Sequence, residues 1–142
     1  MTEYLDLEDL LAAADVAVGQ PAEVRDIGLL EACLARPRAT AFGEEAYPDL
    51  DRKAAALLHS IVTTHPLVDG NRRLGWVAVR LFYGMNETDI HPDADAAFKL
   101  VVAIADGRLR DVAEIAERLC VAKPDRATTR SGRTSTASRA PS

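Results

Sequence analysis

The sequence is poor in cysteine and has no long apolar run, and each absence excludes a class of protein. Its two cysteines, Cys33 and Cys120, lie far apart, and each falls in an apolar helical pattern. Thiols in such positions are usually free and buried, so we expect no disulfide. No apolar stretch approaches the ~20 residues that a membrane-spanning helix requires, and residues 1–9 are acidic, unlike an export signal. We therefore expect a cytoplasmic protein with no membrane partner.

Aromatic residues are also scarce, at 5% of the chain, although 48% of its residues are hydrophobic. Alanine and leucine are abundant and alternating β-branched runs are rare, a composition that favours helices over strands. A chain of 142 residues is long enough to bury one core and short for a second domain. The composition therefore predicts a single compact all-α domain.

Charge is unevenly distributed along the chain. The formal net charge is −5, but residues 123–142 carry five basic residues against one acidic residue, a net of +4, which leaves −9 for residues 1–122. An acidic body argues against direct binding of nucleic acid. The last segment is rich in Ser, Thr, Arg, Ala and Pro without apolar period, a composition typical of disorder. We predict a folded domain over residues 1–122 and a disordered basic tail over residues 123–142.

Apolar residues recur with helical spacing in six segments. Asp6, Asp26 and Asp111 precede the first, second and last of them, as helix caps do, and Gly107 follows the fifth. Residues 42–48 lose the helical period and predict a flap or short hairpin. The predicted helices cover about residues 7–18, 26–36, 49–63, 71–84, 93–106 and 112–122.

The most informative segment is His65-Pro66-Leu67-Val68-Asp69-Gly70-Asn71-Arg72-Arg73, which joins two of the predicted helices. The second of these helices should begin at or near Asn71. An exposed helix N-terminus presents unpaired N–H groups and a partial positive charge, so it attracts anions. Gly70 lets the backbone approach a phosphate closely, and the guanidinium groups of Arg72 and Arg73 match phosphate oxygens.

Asp69 and His65 add two further properties to this anion site. A phosphate would repel Asp69 unless a divalent cation lay between them, and Mg²⁺ is commonly bound by one or two carboxylates together with substrate phosphates. Histidine is suited to taking a proton from an attacking hydroxyl near neutral pH. Taken singly, these positions are also common cap and turn residues. Taken together, they predict phosphoryl or nucleotidyl transfer.

The segment resembles the Fic signature, H-P-F-x-[D/E]-G-N-x-R, and more closely that of the death-on-curing (Doc) toxin branch, H-x-F-x-D-[A/G]-N-K-R. Further matches upstream extend the resemblance over about residues 4–120. The resemblance implies a compact Fic/Doc-like helical domain with the signature at a helix–loop–helix junction. Two positions depart from the pattern: Leu67 replaces the family phenylalanine, and Arg72 replaces the Doc lysine.

Two chemistries occur among Fic proteins, and the signature helps to separate them. Members that transfer AMP usually carry glycine and a second arginine at the positions that Arg72 and Trp76 occupy here. The resemblance to Doc implies instead that the γ-phosphate of ATP is transferred to a threonine of elongation factor Tu, which arrests translation. It implies catalytic roles for His65, Asp69 and Arg73, Mg²⁺ binding by Asp69, and phosphate binding by Gly70, Asn71, Arg72 and Arg73.

The resemblance also implies partners. The flap, with Phe42, Gly43 and Tyr47, resembles the family segment that aligns the target peptide by main-chain pairing. No self-inhibitory motif fits a helical segment, so we expect inhibition by a separate Phd-like antitoxin, and contact with nucleic acid only through that complex. The resemblance thus implies the toxin of a type II toxin–antitoxin system. Two alternatives to the kinase remain: AMP transfer to a protein, and a catalytically silent, antitoxin-binding regulatory partner.

Overall fold

The computed structural model describes residues 1–122, and within them it contains six α-helices, as the sequence predicts. A single turn of 3-10 helix, Arg36–Arg38, leads from the second helix into a two-stranded hairpin. None of the described helices is long and apolar enough to span a membrane. The predicted tail over residues 123–142 lies outside the described residues. The elements are α1 (Leu7–Val18), α2 (Ile27–Ala35), β1 (Thr40–Ala41), β2 (Glu44–Glu45), α3 (Leu50–Thr64), α4 (Asn71–Met85), α5 (Ala94–Ala105) and α6 (Val112–Val121).

Aspartate side chains cap four of these helices. Those of Asp6, Asp26 and Asp49 each accept a hydrogen bond from the backbone N–H three residues further on, and that of Asp111 accepts one from Ala113. Each cap is worth about 1 kcal/mol, because it satisfies an N–H group that no helix carbonyl can reach. The helix starts predicted at Asp6, Asp26 and Asp111 are therefore explained by local chemistry.

Helix α3 forms the centre of the core. It packs against α2, α4, α5 and α6, so few of its faces meet solvent. The carboxyl end of α3, where the motif begins, is therefore held by a helix that is packed on several sides. The apolar residues that α3 buries are Ala54, Ala55, Ala56, Leu57, Leu58, Ile61 and Val62.

Helix α4 approaches α3 most closely at Gly75. A Cβ atom at Gly75 would lie 2.9 Å from Leu58 Cδ1 and 2.9 Å from Val62 Cγ2, which is closer than ordinary carbon contacts. Glycine at this position therefore permits the close packing of α4 on α3, although it lowers the helix propensity of α4. The contact fixes the start of α4 relative to the end of α3.

The predicted flap is a short hairpin in which β1 pairs antiparallel with β2. The two residues between the strands, Phe42 and Gly43, both have positive φ, with values of 55° and 81°. Two-residue hairpins of type I′ require this backbone, and glycine adopts it without cost. The Phe42 side chain is fully exposed at the tip.

The base of the hairpin is anchored to the core by Lys53 and Arg36. Lys53 is only 1% exposed, and its Nζ donates hydrogen bonds to Glu45 Oε1, at 2.7 Å, and to the Tyr47 carbonyl. Arg36 Nε donates to the Tyr47 hydroxyl at 3.1 Å, and its guanidinium lies 5.7 Å from the centre of the Tyr47 ring. The flap is thus attached to α3 by Lys53 and to the 3-10 turn by Arg36.

Both cysteines are free, but only one of them is buried. Cys33 lies in the core, and burial raises the pKa of its thiol. The prediction that Cys120 is buried is wrong. The buried face of α6 consists of Ile115, Ala116 and Leu119, and Cys120 projects to solvent one residue after it.

Candidate active site

The motif from His65 to Arg73 forms a tight turn between α3 and α4. His65 ends α3 in the left-handed region, with a φ of 55°, and Gly70 precedes α4 with a φ of 87°. Glycine adopts this conformation freely, whereas for a histidine it is unfavourable by about 1 kcal/mol. The turn therefore needs contacts from elsewhere in the chain to hold His65 in place.

Such contacts come from residues 23–26, which we call the strap. Val24 forms an antiparallel bridge with Leu67 inside the turn. The backbone N–H groups of Arg25 and Asp26 both donate to the Pro66 carbonyl, at 2.8 and 3.1 Å. The strap thus pairs with the two residues that follow His65.

Arg25 also reaches the end of α3 with its side chain. Its Nε donates to the His65 carbonyl at 2.7 Å, and its Nη2 donates to the Thr64 carbonyl at 2.8 Å. These are carbonyls that the end of a helix leaves unpaired, and a cation near them is favourable. Sequence reasoning missed this contact, because 40 residues separate Arg25 from His65 and no local pattern connects them.

Asn71 closes the turn from the opposite side. Its Oδ1 accepts a hydrogen bond from the Leu67 N–H at 2.8 Å, and its Nδ2 donates to the Leu67 carbonyl at 3.0 Å. The amide side chain therefore shapes the loop by pairing with its backbone. Because the side chain is occupied in this way, the predicted contact of Asn71 with phosphate would have to come from its backbone N–H. This N–H belongs to the first turn of α4 and has no helix carbonyl to pair with.

The turn forms one wall of a cavity of about 760 Å³. The structure brings together every residue of the turn that the sequence predicts to be functional. Helix α5 also lines the cavity, and the sequence could only assign its apolar face to packing. The predicted residues on the cavity are His65, Asp69, Gly70, Asn71, Arg72 and Arg73, and those of α5 are Ala94, Ala97, Phe98, Val101, Val102 and Ala105.

The turn gives the cavity a positively charged end. The side chains of Arg72 and Arg73 are exposed, and neither forms an ion pair with another residue among 1–122. Two guanidinium groups with no carboxylate partner lie beside the first N–H groups of α4. This arrangement favours a multiply charged anion such as a polyphosphate.

Asp69 is the carboxylate on this end of the cavity. It is exposed, and its Oδ1 accepts a hydrogen bond from the Gly70 N–H at 2.9 Å. No group of three or more His, Cys, Asp or Glu residues that could hold a metal is present within residues 1–122. A cation at Asp69 would therefore need further ligands from a bound phosphate, which is the way in which Mg²⁺ is usually held.

The residues at which the signature varies have different surroundings. Leu67 is buried beneath the turn, so it occupies a packing position, whereas Arg72 is exposed on the cavity. Trp76 also lines the cavity and is only partly buried, whereas Phe82 and Tyr83, further along the same helix, are fully buried.

The three predicted docking residues of the flap do not line the cavity. Phe42 and Gly43 form the tip of the hairpin, and Tyr47 lies at its base against Arg36. Both strands of the flap are exposed. Pairing of the flap with a peptide would therefore use its backbone edge, and the docking role of these residues remains a prediction.

Comparison with known proteins agrees with this geometry. Residues 4–83 match the Fic/DOC family, a range that contains the strap, the flap, the whole turn and most of α4. The chain is also 52% identical over 95 residues to the protein named Toxin Doc from Mycolicibacterium smegmatis, a match that covers 67% of this chain and 73% of that protein. The chain belongs to the Fic/DOC family, and the resemblance to its Doc branch that the sequence predicted is confirmed.

Proposed function

We propose that the protein is the toxin of a toxin–antitoxin pair, and that it is a kinase which transfers the γ-phosphate of ATP to a threonine of elongation factor Tu. The name of its relative, Toxin Doc, supports the first part. The cavity supports the second, because it is lined by a histidine, a carboxylate, a helix N-terminus and two guanidinium groups that have no ion-pair partner within residues 1–122. Phosphoryl transfer depends on such positioning and charge stabilisation.

In the proposed reaction, His65 takes the proton of the threonine hydroxyl. The threonine oxygen forms a bond to the γ-phosphorus while the bond from that phosphorus to the oxygen shared with the β-phosphate breaks, and ADP leaves. Arg72, Arg73 and the N–H groups at the start of α4 stabilise the negative charge of the phosphates. Asp69 would hold Mg²⁺, which neutralises phosphate charge when bound.

The contacts around the turn support a catalytic role for His65. Its left-handed backbone is unfavourable for a histidine, yet hydrogen bonds from Arg25 hold the carbonyls of Thr64 and His65, which belong to the peptide bonds before and after His65. Strained backbone held by several contacts is common at active sites. A general base requires such fixed placement, because proton transfer works only over hydrogen-bond distances.

The preference for the γ-phosphate over AMP rests on the positions after Asn71. Arg72 and Trp76 stand where AMP-transferring Fic proteins usually have glycine and arginine. Arg72 brings a bulky cation to the start of α4, and Trp76 replaces a cation by an apolar ring on the cavity wall. Both changes favour the kinase, as in the Doc branch.

The toxin assignment can be tested by expressing the protein without an antitoxin in a bacterial host. We expect growth arrest with the wild-type chain, relief of arrest with His65→Ala and with Asp69→Ala, and full arrest with His91→Ala. His91 is a matched control, since it is exposed and does not line the cavity. Normal growth despite soluble wild-type protein would favour the catalytically silent partner, and arrest by both cavity variants would contradict the mechanism.

We further propose that a Phd-like antitoxin restrains the toxin. Co-expression of the gene adjacent to the toxin gene should restore growth, and the two proteins should then purify together. If co-expression of each adjacent gene leaves the growth arrest unchanged, this part of the proposal is contradicted.

A further inference from the structure

The elements that line the cavity differ in chemistry. The turn contributes mostly charged and polar groups, whereas the residues of α5 form a wall that is entirely apolar. An anion at the turn would leave this apolar wall uncovered. The cavity therefore suits a ligand that carries a polyphosphate at one end and an uncharged, flat group at the other.

Two aromatic side chains lie on the apolar part of the cavity. Phe98 on α5 is 65% exposed, although large apolar side chains are normally buried in a chain of this kind. Trp76 on α4 is partly buried and is the one tryptophan of the sequence. Apolar surface that remains accessible inside a cavity is typical of a ligand-binding groove.

Helix α4 fixes the position of Trp76 relative to the turn, where the phosphates are proposed to bind. It lies four residues after Arg72 and three after Arg73, so all three side chains share one face of α4. At ~1.5 Å per residue, Trp76 is displaced by roughly 7 Å along the helix from Asn71. A group stacked on Trp76 would thus be connected to the turn by a short linker such as a ribose.

We propose that Trp76 and Phe98 form the base subsite of the cavity and that they bind the purine ring of the nucleotide whose phosphates lie at the turn. This inference rests on the proposed function, since it assumes that the cavity takes a nucleoside triphosphate. Aromatic rings stack on any base, and the larger purine rings cover more of the apolar wall than pyrimidines do. The subsite therefore favours ATP and GTP over CTP and UTP.

The test compares ATP with inorganic tripolyphosphate, which has the phosphates but no base. Both are titrated with Mg²⁺ into the full-length protein by calorimetry, and the emission of Trp76, the single tryptophan, is followed in parallel. We expect Phe98→Ala to weaken ATP binding about tenfold, a usual effect of losing one stacking partner, and to leave tripolyphosphate binding unchanged. Phe98→Tyr should retain the affinity for ATP.

Two further variants serve as controls. Val16→Ala removes an equally exposed apolar side chain from α1, outside the cavity, and should change neither affinity. Arg73→Gln removes a guanidinium from the turn and should weaken both ligands. In the wild-type chain, ATP and not tripolyphosphate should alter the emission of Trp76.

The outcomes separate the base subsite from the proposed function. If ATP and tripolyphosphate bind the wild-type chain with the same affinity, or if Phe98→Ala weakens both equally, the base subsite is wrong while phosphate binding at the turn stands. If neither ligand binds the wild-type chain, the nucleotide-dependent function fails and the subsite fails with it.

Discussion

Asn71 joins two properties of the turn in one residue. Its side chain pairs with both backbone polar groups of Leu67, and its backbone begins α4 at the positively charged end of the cavity. A side chain of similar size that cannot form these two hydrogen bonds would therefore not hold the loop as Asn71 does. The order of the loop and the position of the proposed anion site are therefore linked at Asn71.

Substitution of Asn71 tests this link. Asn71→Ala leaves the Leu67 N–H and carbonyl without their partners, so we expect the free energy of unfolding to fall by about 1–3 kcal/mol, and nucleotide affinity to fall as well. Asn71→Asp keeps an acceptor for the Leu67 N–H but places a negative charge at the anion site. It should therefore be more stable than Asn71→Ala and bind nucleotide no better. Denaturant unfolding and calorimetric titration measure the two effects, and an Asn71→Ala protein as stable as the wild type would contradict the role of Asn71.

At the scale of elements, the packing of α3 against α4 determines where the turn begins and ends. Gly75 is the point of closest approach, and the side chains that it faces belong to the buried Leu58 and Val62. Gly84, on the same helix, faces no atom within 4 Å. The two glycines therefore separate the effect of packing from the effect of helix propensity.

Alanine substitutions at these glycines should have opposite effects. Gly75→Ala should lower the free energy of unfolding by about 1–2 kcal/mol, because overpacking outweighs the gain in helix propensity. Gly84→Ala should raise it by up to about 1 kcal/mol, because only the propensity changes. Chemical denaturation of both variants gives the comparison. Equal stabilisation by the two substitutions would show that α4 does not pack on α3 as described.

The placement of the flap depends on a few contacts, among them the hydrogen bonds of Lys53. Lys53→Met removes the buried ammonium that bonds to Glu45 and to the Tyr47 carbonyl, so the hairpin should loosen. We expect faster amide hydrogen exchange in residues 40–46 and slower phosphorylation of the protein target, with unchanged ATP affinity. Lys99→Met, at an exposed lysine of α5, is the matched control. Unchanged exchange in the flap would contradict the anchoring role of Lys53.

At the scale of the whole molecule, His59 links domain stability to pH. Its Nδ1 lies 2.8 Å from Arg36 Nη1. Burial and, to a smaller extent, the charge of Arg36 lower its pKa from the ordinary value of 6.5. The unfolded chain therefore binds a proton at a higher pH than the folded chain. The contribution of neutral His59 to stability is complete above about pH 6.5 and is lost as the pH falls below it.

This linkage predicts the behaviour of a variant. Between about pH 7.5 and about pH 5.5, His59→Gln should lose less stability than the wild type, because glutamine takes up no proton. His91→Gln, at an exposed histidine, should behave like the wild type. Thermal unfolding at the two pH values measures the effect. An equal loss of stability in wild type and His59→Gln would contradict the linkage.

The features that could be predicted from the sequence are those that local chemistry determines. Aspartate caps and apolar periodicity indicate the six helices, and the order of residues from His65 to Arg73 indicates the polar turn that lines the cavity. The strap could not be predicted, because its pairing with Pro66 and Leu67 joins distant segments through backbone groups. The α5 wall was missed because an apolar helix face that lines a cavity has the same pattern as one that packs on the core.

We propose above all that the turn directs the γ-phosphate of ATP, and not AMP, to a protein hydroxyl. The most direct measurement incubates the purified protein and elongation factor Tu with ATP labelled at either the α- or the γ-phosphate, with His65→Ala as the inactive control. We predict that elongation factor Tu acquires label only from the γ position, and only with the wild-type protein. Label arriving from the α position alone would contradict the claim and identify the protein as an AMP transferase.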